Sequence, residues 1–281
     1  MKIAVTGATG NLGRIVIEKL KTVVGVENIV ALVRSPEKAT DLGVEVRLFD
    51  FDQPKKLAGG LKGIDKLLLI SGNEVGKRAE QHANVINAAK AAGVKLIAYT
   101  SLLKADTSTL GLAPEHLATE KAIKASGIPY VILRNSWYTE NYTGSIQNVI
   151  DLGTLYGSAG EGKVSSATRE DFADAAIAGL TREGQEGKVY ELAGDEAFTM
   201  SDYAKEISKH TGKDIPYVNL PEEAYAGALV KAGLHEGFAH FLASTDTAIV
   251  KGDLFEDGHQ LSKLIGRPTT PLSKAIADAL G

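Results

Sequence analysis

The sequence predicts an α/β fold, a doubly wound parallel sheet followed by a smaller, mainly helical C-terminal lobe. Three observations predict it. Through the first half, short apolar runs alternate with segments of helical period, the pattern of parallel strands joined by helical crossovers. The runs are apolar almost throughout, as strands covered on both faces are. A glycine-rich turn, Gly7-Ala8-Thr9-Gly10-Asn11-Leu12-Gly13, stands directly between the first run and the first helical segment.

The elements follow in order. Lys2–Thr6 reads as the first strand and Asn11–Leu20 as the first helix. Asn28–Val33 is the second strand, and Ser35-Pro36-Glu37 then offers a capping hydroxyl, a proline at the first helical position and an acid, which predicts a helix over Pro36–Asp41. Val44–Leu48 and Lys66–Ile70 are the third and fourth strands. Helix Ala79–Ala92 is closed by Gly93 and helix Pro114–Ala125 by Gly127, both suited to a left-handed cap, with strands Val94–Tyr99 and Pro129–Leu133 after the fourth and fifth crossovers. From about Asn135 the rhythm loosens: helical patterns recur at Arg169–Leu180, Ser201–His210, Glu222–Ala232 and Leu272–Leu280, with a strand at Val189–Leu192. We therefore expect a dinucleotide-binding domain at 1–134, to which the segment 163–195 returns, and a substrate-side lobe over most of 135–281. That lobe should cover the carboxyl ends of the strands, where open α/β sheets place their ligands.

Composition removes several classes. The chain has no cysteine, which excludes disulfide frameworks, cysteine zinc sites, iron–sulfur clusters and thiol catalysis. The net charge of −4 comes without a basic block, so no nucleic-acid affinity is expected. No apolar run approaches the roughly 18 residues of a membrane span. Met1–Val5 passes at once into glycine-rich sequence, without the apolar stretch of a signal peptide, and a cytoplasmic protein is expected.

The glycine turn is the strongest local signal. Its spacing is G-x-x-G-x-x-G, and its place between a strand and a helix is where backbone must approach a pyrophosphate at a helix N-terminus. Thr6, Gly7, Thr9, Gly10, Asn11, Leu12 and Gly13 are thus candidate cofactor-binding residues. The acid that would hold a ribose 2′-hydroxyl is expected about 20 residues beyond the last glycine. Ala31-Leu32-Val33-Arg34-Ser35 stands there instead, with no carboxylate. The planar fork of Arg34 suits a 2′-phosphate, and a charge-assisted bond of roughly 1.5–3 kcal/mol would favour NADP over NAD by about 10- to 150-fold. Asp50, at the end of the third strand, is read either as an acceptor for the adenine amine or as a turn cap.

Other tempting residues have plainer readings. His235 and His240 resemble a zinc-protease pair but are one residue too far apart to face one metal from a helix, and no metal is expected. His116 begins the helix that carries Lys121 and is read as a partly exposed helix-start histidine in preference to one that faces the cleft. Trp137 and Tyr142 are read equally as a stacking surface for a flat ring and as aromatic packing between the lobes.

The glycine turn, Arg34, Ser101, Lys121 and Leu133-Arg134-Asn135-Ser136-Trp137-Tyr138 together resemble the NmrA-like branch of the atypical short-chain dehydrogenase/reductases, and within it the bacterial NAD(P)H:quinone oxidoreductases. The resemblance spans essentially the whole chain. It rests most on Leu67–Gly76, on Tyr99-Thr100-Ser101-Leu102-Leu103 and on Trp137-Tyr138-Thr139-Glu140-Asn141-Tyr142. It implies a Rossmann-type fold, NADP(H) as cofactor, and a cofactor and substrate cleft lined by Ser71, Glu74, Val75, Tyr138, Asn141, Tyr142 and Arg169. By the same resemblance the segment after the fourth strand passes the nicotinamide half of the cofactor, and Lys121, Ser101 and Tyr138 are the candidate catalytic residues.

One departure from the wider superfamily bears on the chemistry. Short-chain dehydrogenases protonate the substrate oxygen with a tyrosine four residues before the lysine, but position 117 is Leu and no Tyr-x-x-x-Lys occurs in the chain. Ketone reduction and sugar-nucleotide chemistry lose their general acid. A quinone suffers less, because its hydride adduct is a stabilised aromatic oxyanion that water protonates. The expected function is therefore hydride transfer from NADPH to a quinone. The alternative is an NmrA-like redox sensor that binds the dinucleotide without catalysis. The expected partner is a flat acceptor, and a homodimer stays open.

Overall fold

The first apolar run folds as β1 (Ile3–Thr6), buried along its whole length. In this computed structural model, which describes residues 1–281, β1 passes through the glycine turn into α1 (Asn11–Val24), whose buried stripe is Leu12, Gly13, Val16, Ile17 and Leu20. The chain continues as β2 (Ile29–Val33), β3 (Glu45–Leu48), α2 (Pro54–Gly60), β4 (Lys66–Leu69), α3 (Arg78–Ala92), β5 (Leu96–Leu102), α4 (Ala113–Ser126) and β6 (Tyr130–Asn135). It then forms α5 (Glu140–Thr143), α6 (Ile146–Leu152) and β7 (Leu155–Gly157), followed by α7 (Arg169–Thr181) and β8 (Lys188–Leu192). The last part is α8 (Met200–Thr211), β9 (Tyr217–Asn219), α9 (Glu222–Lys231), α10 (Glu236–Val250), α11 (Gln260–Ile265) and α12 (Leu272–Leu280).

The chain forms two units: Met1–Asp106 with Leu112–Asn135 and Arg169–Glu191, and Thr107–Gly111 with Ser136–Thr168 and Leu192–Gly281. The first unit holds a seven-stranded sheet in the order β3-β2-β1-β4-β5-β6-β8, in which β1 to β6 run parallel. Consecutive strands step outward from β1 on one side and from β4 on the other. The order therefore reverses between β1 and β4, which are in register at Ile3↔Lys66 and Val5↔Leu68. Their carboxyl ends diverge into the glycine turn and the segment after Leu69, leaving the crevice that such sheets use for ligands. On one face the core packs Phe49, Leu57, Leu61, Val85, Ile86 and Ile123 against strand residues Val30, Leu67, Leu69 and Tyr99. The two edge strands, β3 and β8, depart from the apolar pattern, and in β3 the charges are used, with Glu45 2.7 Å from Lys2 and Arg47 donating to the Gly60 and Lys62 carbonyls at 2.8 Å.

The second unit is mainly helical, with a two-stranded parallel sheet of β7 and β9. Helix α9 packs on α10 and α12 on α8. The start of α8 is fixed by a capping box in which Thr199 and Asp202 satisfy one another's backbone amides.

Besides the short helices α5, α6 and α11, which were not expected, local expectation and structure part at three further places. Pro36–Asp41 is not an α-helix but two 3₁₀ turns, Pro36–Lys38 and Thr40–Leu42, and Ser35 makes no capping bond. Helix α2 was not expected because two of its residues, Gly59 and Gly60, disfavour helix. A side chain at Gly60 would meet the Phe49 ring at 2.7 Å, so packing selects glycine there. Helix α10 contains Gly237 and β-branched Thr245, Thr247, Ile249 and Val250, and its helical state comes from the burial of Ala239, Ala243, Ala248 and Ile249.

Candidate functional site

The glycine turn is built by backbone geometry. Gly7 has φ +58, in the left-handed region, and its carbonyl accepts the Gly10 amide at 2.9 Å. Gly13 is where α1 crosses the turn: a Cβ there would lie 2.2 Å from the Gly7 oxygen and 2.8 Å from the Ala8 Cα. Gly10 caps α1 with no side-chain bond to its first amides, so these N–H groups and the positive end of the helix dipole face the crevice mouth. Gly7, Gly10 and Asn11 are exposed there and Thr9 is half-buried, whereas Leu12 is turned into the core.

Thr6 does something other than touch a ligand with its hydroxyl. It is fully buried, its Oγ1 accepts the Ile70 amide at 2.9 Å, and it lies 3.3 Å from the Leu68 and Ile70 carbonyls. It ties the diverging ends of β1 and β4 together. Asp50 is likewise engaged locally, accepting from the Asp52 amide at 3.1 Å and the Gln53 side chain at 2.7 Å, which is the turn-cap reading.

Arg34 emerges from β2 with its side chain 60% exposed, and its Nη1 donates to Glu74 at 2.8 Å. Glu74 was assigned to the nicotinamide side by resemblance. Instead it meets the arginine expected at the adenosine side, and its other oxygen lies 3.2 Å from Lys77. Val75 is 60% exposed beside it. Ser71 donates its amide to Thr100 Oγ1 at 2.9 Å, which fixes the start of this segment to β5.

Beneath the segment lies a buried polar cluster. His82 Nε2 accepts the Gly72 amide at 3.0 Å, so the imidazole proton sits on Nδ1 and points at Thr119 Oγ1, 2.9 Å away. His116 Nδ1 lies 2.8 Å from the Tyr99 hydroxyl. His116 is therefore neither partly exposed nor at a cleft; it is 6% exposed and satisfied in the core. Burial, reinforced by the nearby Arg78 guanidinium, pushes His82 down to about 4 and His116 down to about 3, and burial raises the Tyr99 phenol.

Ser101, at the end of β5, donates to Glu120 Oε1 at 2.7 Å. Glu120 is fully buried and takes two bonds from Arg134, at 2.9 Å each, while Arg134 also reaches Glu191 at 2.7 Å and Asp106 at 3.0 Å. Lys121 was expected beside Ser101, but the side chain that stands there belongs to its neighbour Glu120. Successive helical residues are rotated by about 100°, so Lys121 does not share the contacts of Glu120 and is exposed. Sequence reading missed Glu120 and Arg134. The available signal was that Glu120 shares the buried stripe of α4 with Ala113, His116 and Ile123.

Arg169 opens α7 in the first unit, where the neighbouring Glu170 and Asp174 hold Lys19 at 2.8 Å. Tyr138, Asn141 and Tyr142 belong to the second unit. Tyr138 is half-buried and pairs with Ala167 across a parallel bridge, and Asn141 is exposed on α5. Tyr142 turns inward, edge-on to Phe198 at 5.7 Å and beside Tyr203 at 5.8 Å, with its hydroxyl buried; its aromatic packing is within the second unit rather than the expected packing between lobes. His235 caps α10 through the Gly237 amide and His240 is exposed.

Comparison with known proteins places this geometry. A family model described as NAD(P)H-binding matches residues 7–183. Quinone oxidoreductase 2 of Escherichia coli (strain K12) is 54% identical over 278 residues, covering 98% of this chain and 97% of that protein. A crystal structure of the NADPH-dependent quinone oxidoreductase from Escherichia coli, complexed with NADPH, matches with a TM-score of 0.97 at 53% identity, over 99% of this chain and 100% of that one. An NmrA-like family domain-containing oxidoreductase of Aspergillus flavus, flvB, is 28% identical over 100% of this chain and 95% of its own length. With the parallel sheet and its crevice between β1 and β4, these matches make the chain a member of the NAD(P)H-binding, NmrA-like family of atypical short-chain dehydrogenase/reductases.

Proposed function

We propose that the protein is an NADPH-dependent quinone oxidoreductase. The glycine turn fits a dinucleotide: Gly13 admits no side chain against Gly7, and the first amides of α1 carry no side-chain cap. When bound, NADPH supplies the hydride. The exposed backbone of Gly7, Gly10 and Asn11 would hold the pyrophosphate and Arg34 the 2′-phosphate. Lys121, exposed and without an ion pair, is assigned to the nicotinamide-ribose hydroxyls. On the second unit, Tyr138 and Asn141 are assigned to recognition of the acceptor. A cytoplasmic location accords with a cysteine-free chain that draws on NADPH. Self-association accords with the exposed Phe238 and Val230 on α10 and α9, and light scattering tests it.

One observation carries the acceptor class. At the position of the superfamily's acid stands Leu117, and the Ser101 hydroxyl is committed to the Glu120–Arg134 pair. No group at that place can protonate an alkoxide, so the acceptor must be one whose reduced form leaves as a stabilised oxyanion. A steady-state scan of NADPH oxidation against quinones, aldehydes and ketones tests this. Quinones are expected to turn over and unactivated ketones are not; robust reduction of an unactivated ketone would overturn the reading and make Tyr138 the first suspect. The same Leu117 favours the second reading, a dinucleotide sensor, which NADPH binding without turnover of any acceptor would establish.

A further inference from the structure

The segment between β4 and α3 is held rigidly at its base. Gly72 is gripped on both sides, its amide donated to His82 at 3.0 Å and its carbonyl accepting from Arg78 Nε at 2.5 Å. The amides of Gly76 and Arg78 both donate to Glu115 Oε1 at 3.0 Å. His82 is fully buried and Arg78 is 9% exposed, so these anchors are fixed by the core. The exposed part of the segment is its tip, where Glu74 bonds Arg34 with one oxygen and Lys77 with the other. Strands β2, β1 and β4 are neighbours in that order, so a bond from the end of β2 to the segment after β4 spans the carboxyl end of β1, where the glycine turn begins.

We propose that Glu74 is a specificity-determining residue that competes with the cofactor's 2′-phosphate for Arg34. The proposal rests on the assignment of Arg34 to that phosphate. Glu74 occupies Nη1 of Arg34, so a phosphate dianion brought to the same guanidinium finds one donor taken and a carboxylate beside it that repels it. The doubly charged phosphate wins the exchange, and Lys77, already on the second oxygen of Glu74, keeps the released carboxylate paired. A 2′-hydroxyl carries no charge to drive the exchange, so NADH meets an arginine already neutralised by Glu74. Discrimination is thus the difference between two anions on one cation rather than the attraction of Arg34 alone.

Fluorescence titration of NADPH and NADH against wild type, Glu74→Gln, Arg34→Ala and the double variant tests the exchange. Because the pair is exposed, its release is worth only a modest factor: Glu74→Gln is expected to tighten NADPH by about two- to fivefold and to leave NADH unchanged. In the Arg34→Ala background the Glu74→Gln effect should vanish. Weaker NADPH binding in Glu74→Gln, an equal gain for NADH, or a gain that persists without Arg34 would overturn the proposal. Unchanged NADPH affinity in Arg34→Ala would instead remove the parent assignment, so the two failures are told apart.

Discussion

A single methyl group separates Gly13 from alanine, and the turn has no room for it. With the Gly7 oxygen 2.2 Å from the added carbon, either α1 must move outward or the turn must unwind, and both displace the amides aimed at the crevice. Gly13→Ala is expected to weaken NADPH binding by about tenfold or more and to lower the melting temperature, in keeping with roughly 1–3 kcal/mol for an overpacked site. Titration and thermal denaturation on one preparation check both. Lys121 makes the opposite kind of contribution, because its side chain is exposed on α4. Lys121→Ala should leave the melting temperature unchanged and weaken NADPH by about tenfold, the loss of one charge-assisted bond. Unaltered affinity would return Lys121 to the ordinary exposed surface of α4.

At the scale of elements, the carboxyl ends of β4 and β5 rest on polar groups supplied by the first turns of α3 and α4. The two histidines are neutral in the fold: their ordinary value of 6.5 is depressed to about 4 for His82 and about 3 for His116. The unfolded chain therefore binds these protons as pH falls below 6.5 while the folded chain does not. Stability is complete above that value and is lost progressively as pH falls toward 4 and 3, after which no more is lost through these groups. The loss amounts to about 1.4 kcal/mol per pH unit for each histidine at most. Urea denaturation at pH 7 and pH 5 should show it, and His82→Gln, which keeps an acceptor for the Gly72 amide but does not titrate, should flatten the dependence. The second buried set joins β5, α4 and β6. Removing Glu120 leaves Nε and Nη2 of buried Arg134 without their acceptor while Glu191 and Asp106 keep Nη1, so Glu120→Ala should cost about 3 kcal/mol of stability. Ser101→Ala removes one bond to the same carboxylate and should cost about 1 kcal/mol while leaving the turnover number within about threefold. A large loss of turnover in a stable Ser101→Ala protein would restore that hydroxyl to the chemistry.

For the whole molecule, folding and dinucleotide binding are linked, because the turn that holds the cofactor exists only when β1, α1 and β4 are assembled. NADPH at about a hundredfold its dissociation constant should add roughly 2.7 kcal/mol to the unfolding free energy. The same concentration of NADH should add less, by the margin with which the protein discriminates between them. Thermal shift with each nucleotide reads this without any acceptor present.

The sequence by itself determined the sheet and the place of its ligand crevice. Strands buried on both faces must be apolar throughout, and all the strands expected for the main sheet fall within three residues of their observed ends. The glycine triple and the missing carboxylate near Arg34 are equally local, because close backbone approach and charge are properties of single positions. Only the tertiary structure decided what the polar side chains do. Thr6, Asp50, Ser101, His116 and Tyr142 each suit a site by residue type, yet each is engaged within the fold, by β4, by its own turn, by Glu120, by Tyr99 or by Phe198. Glu74 and Arg34 lie forty residues apart and meet only because β2 and β4 flank β1. Periodicity fixes which face of an element is buried, but a buried polar group is satisfied by whatever partner the assembled sheet and helices bring within about 3 Å, and that partner is a property of topology.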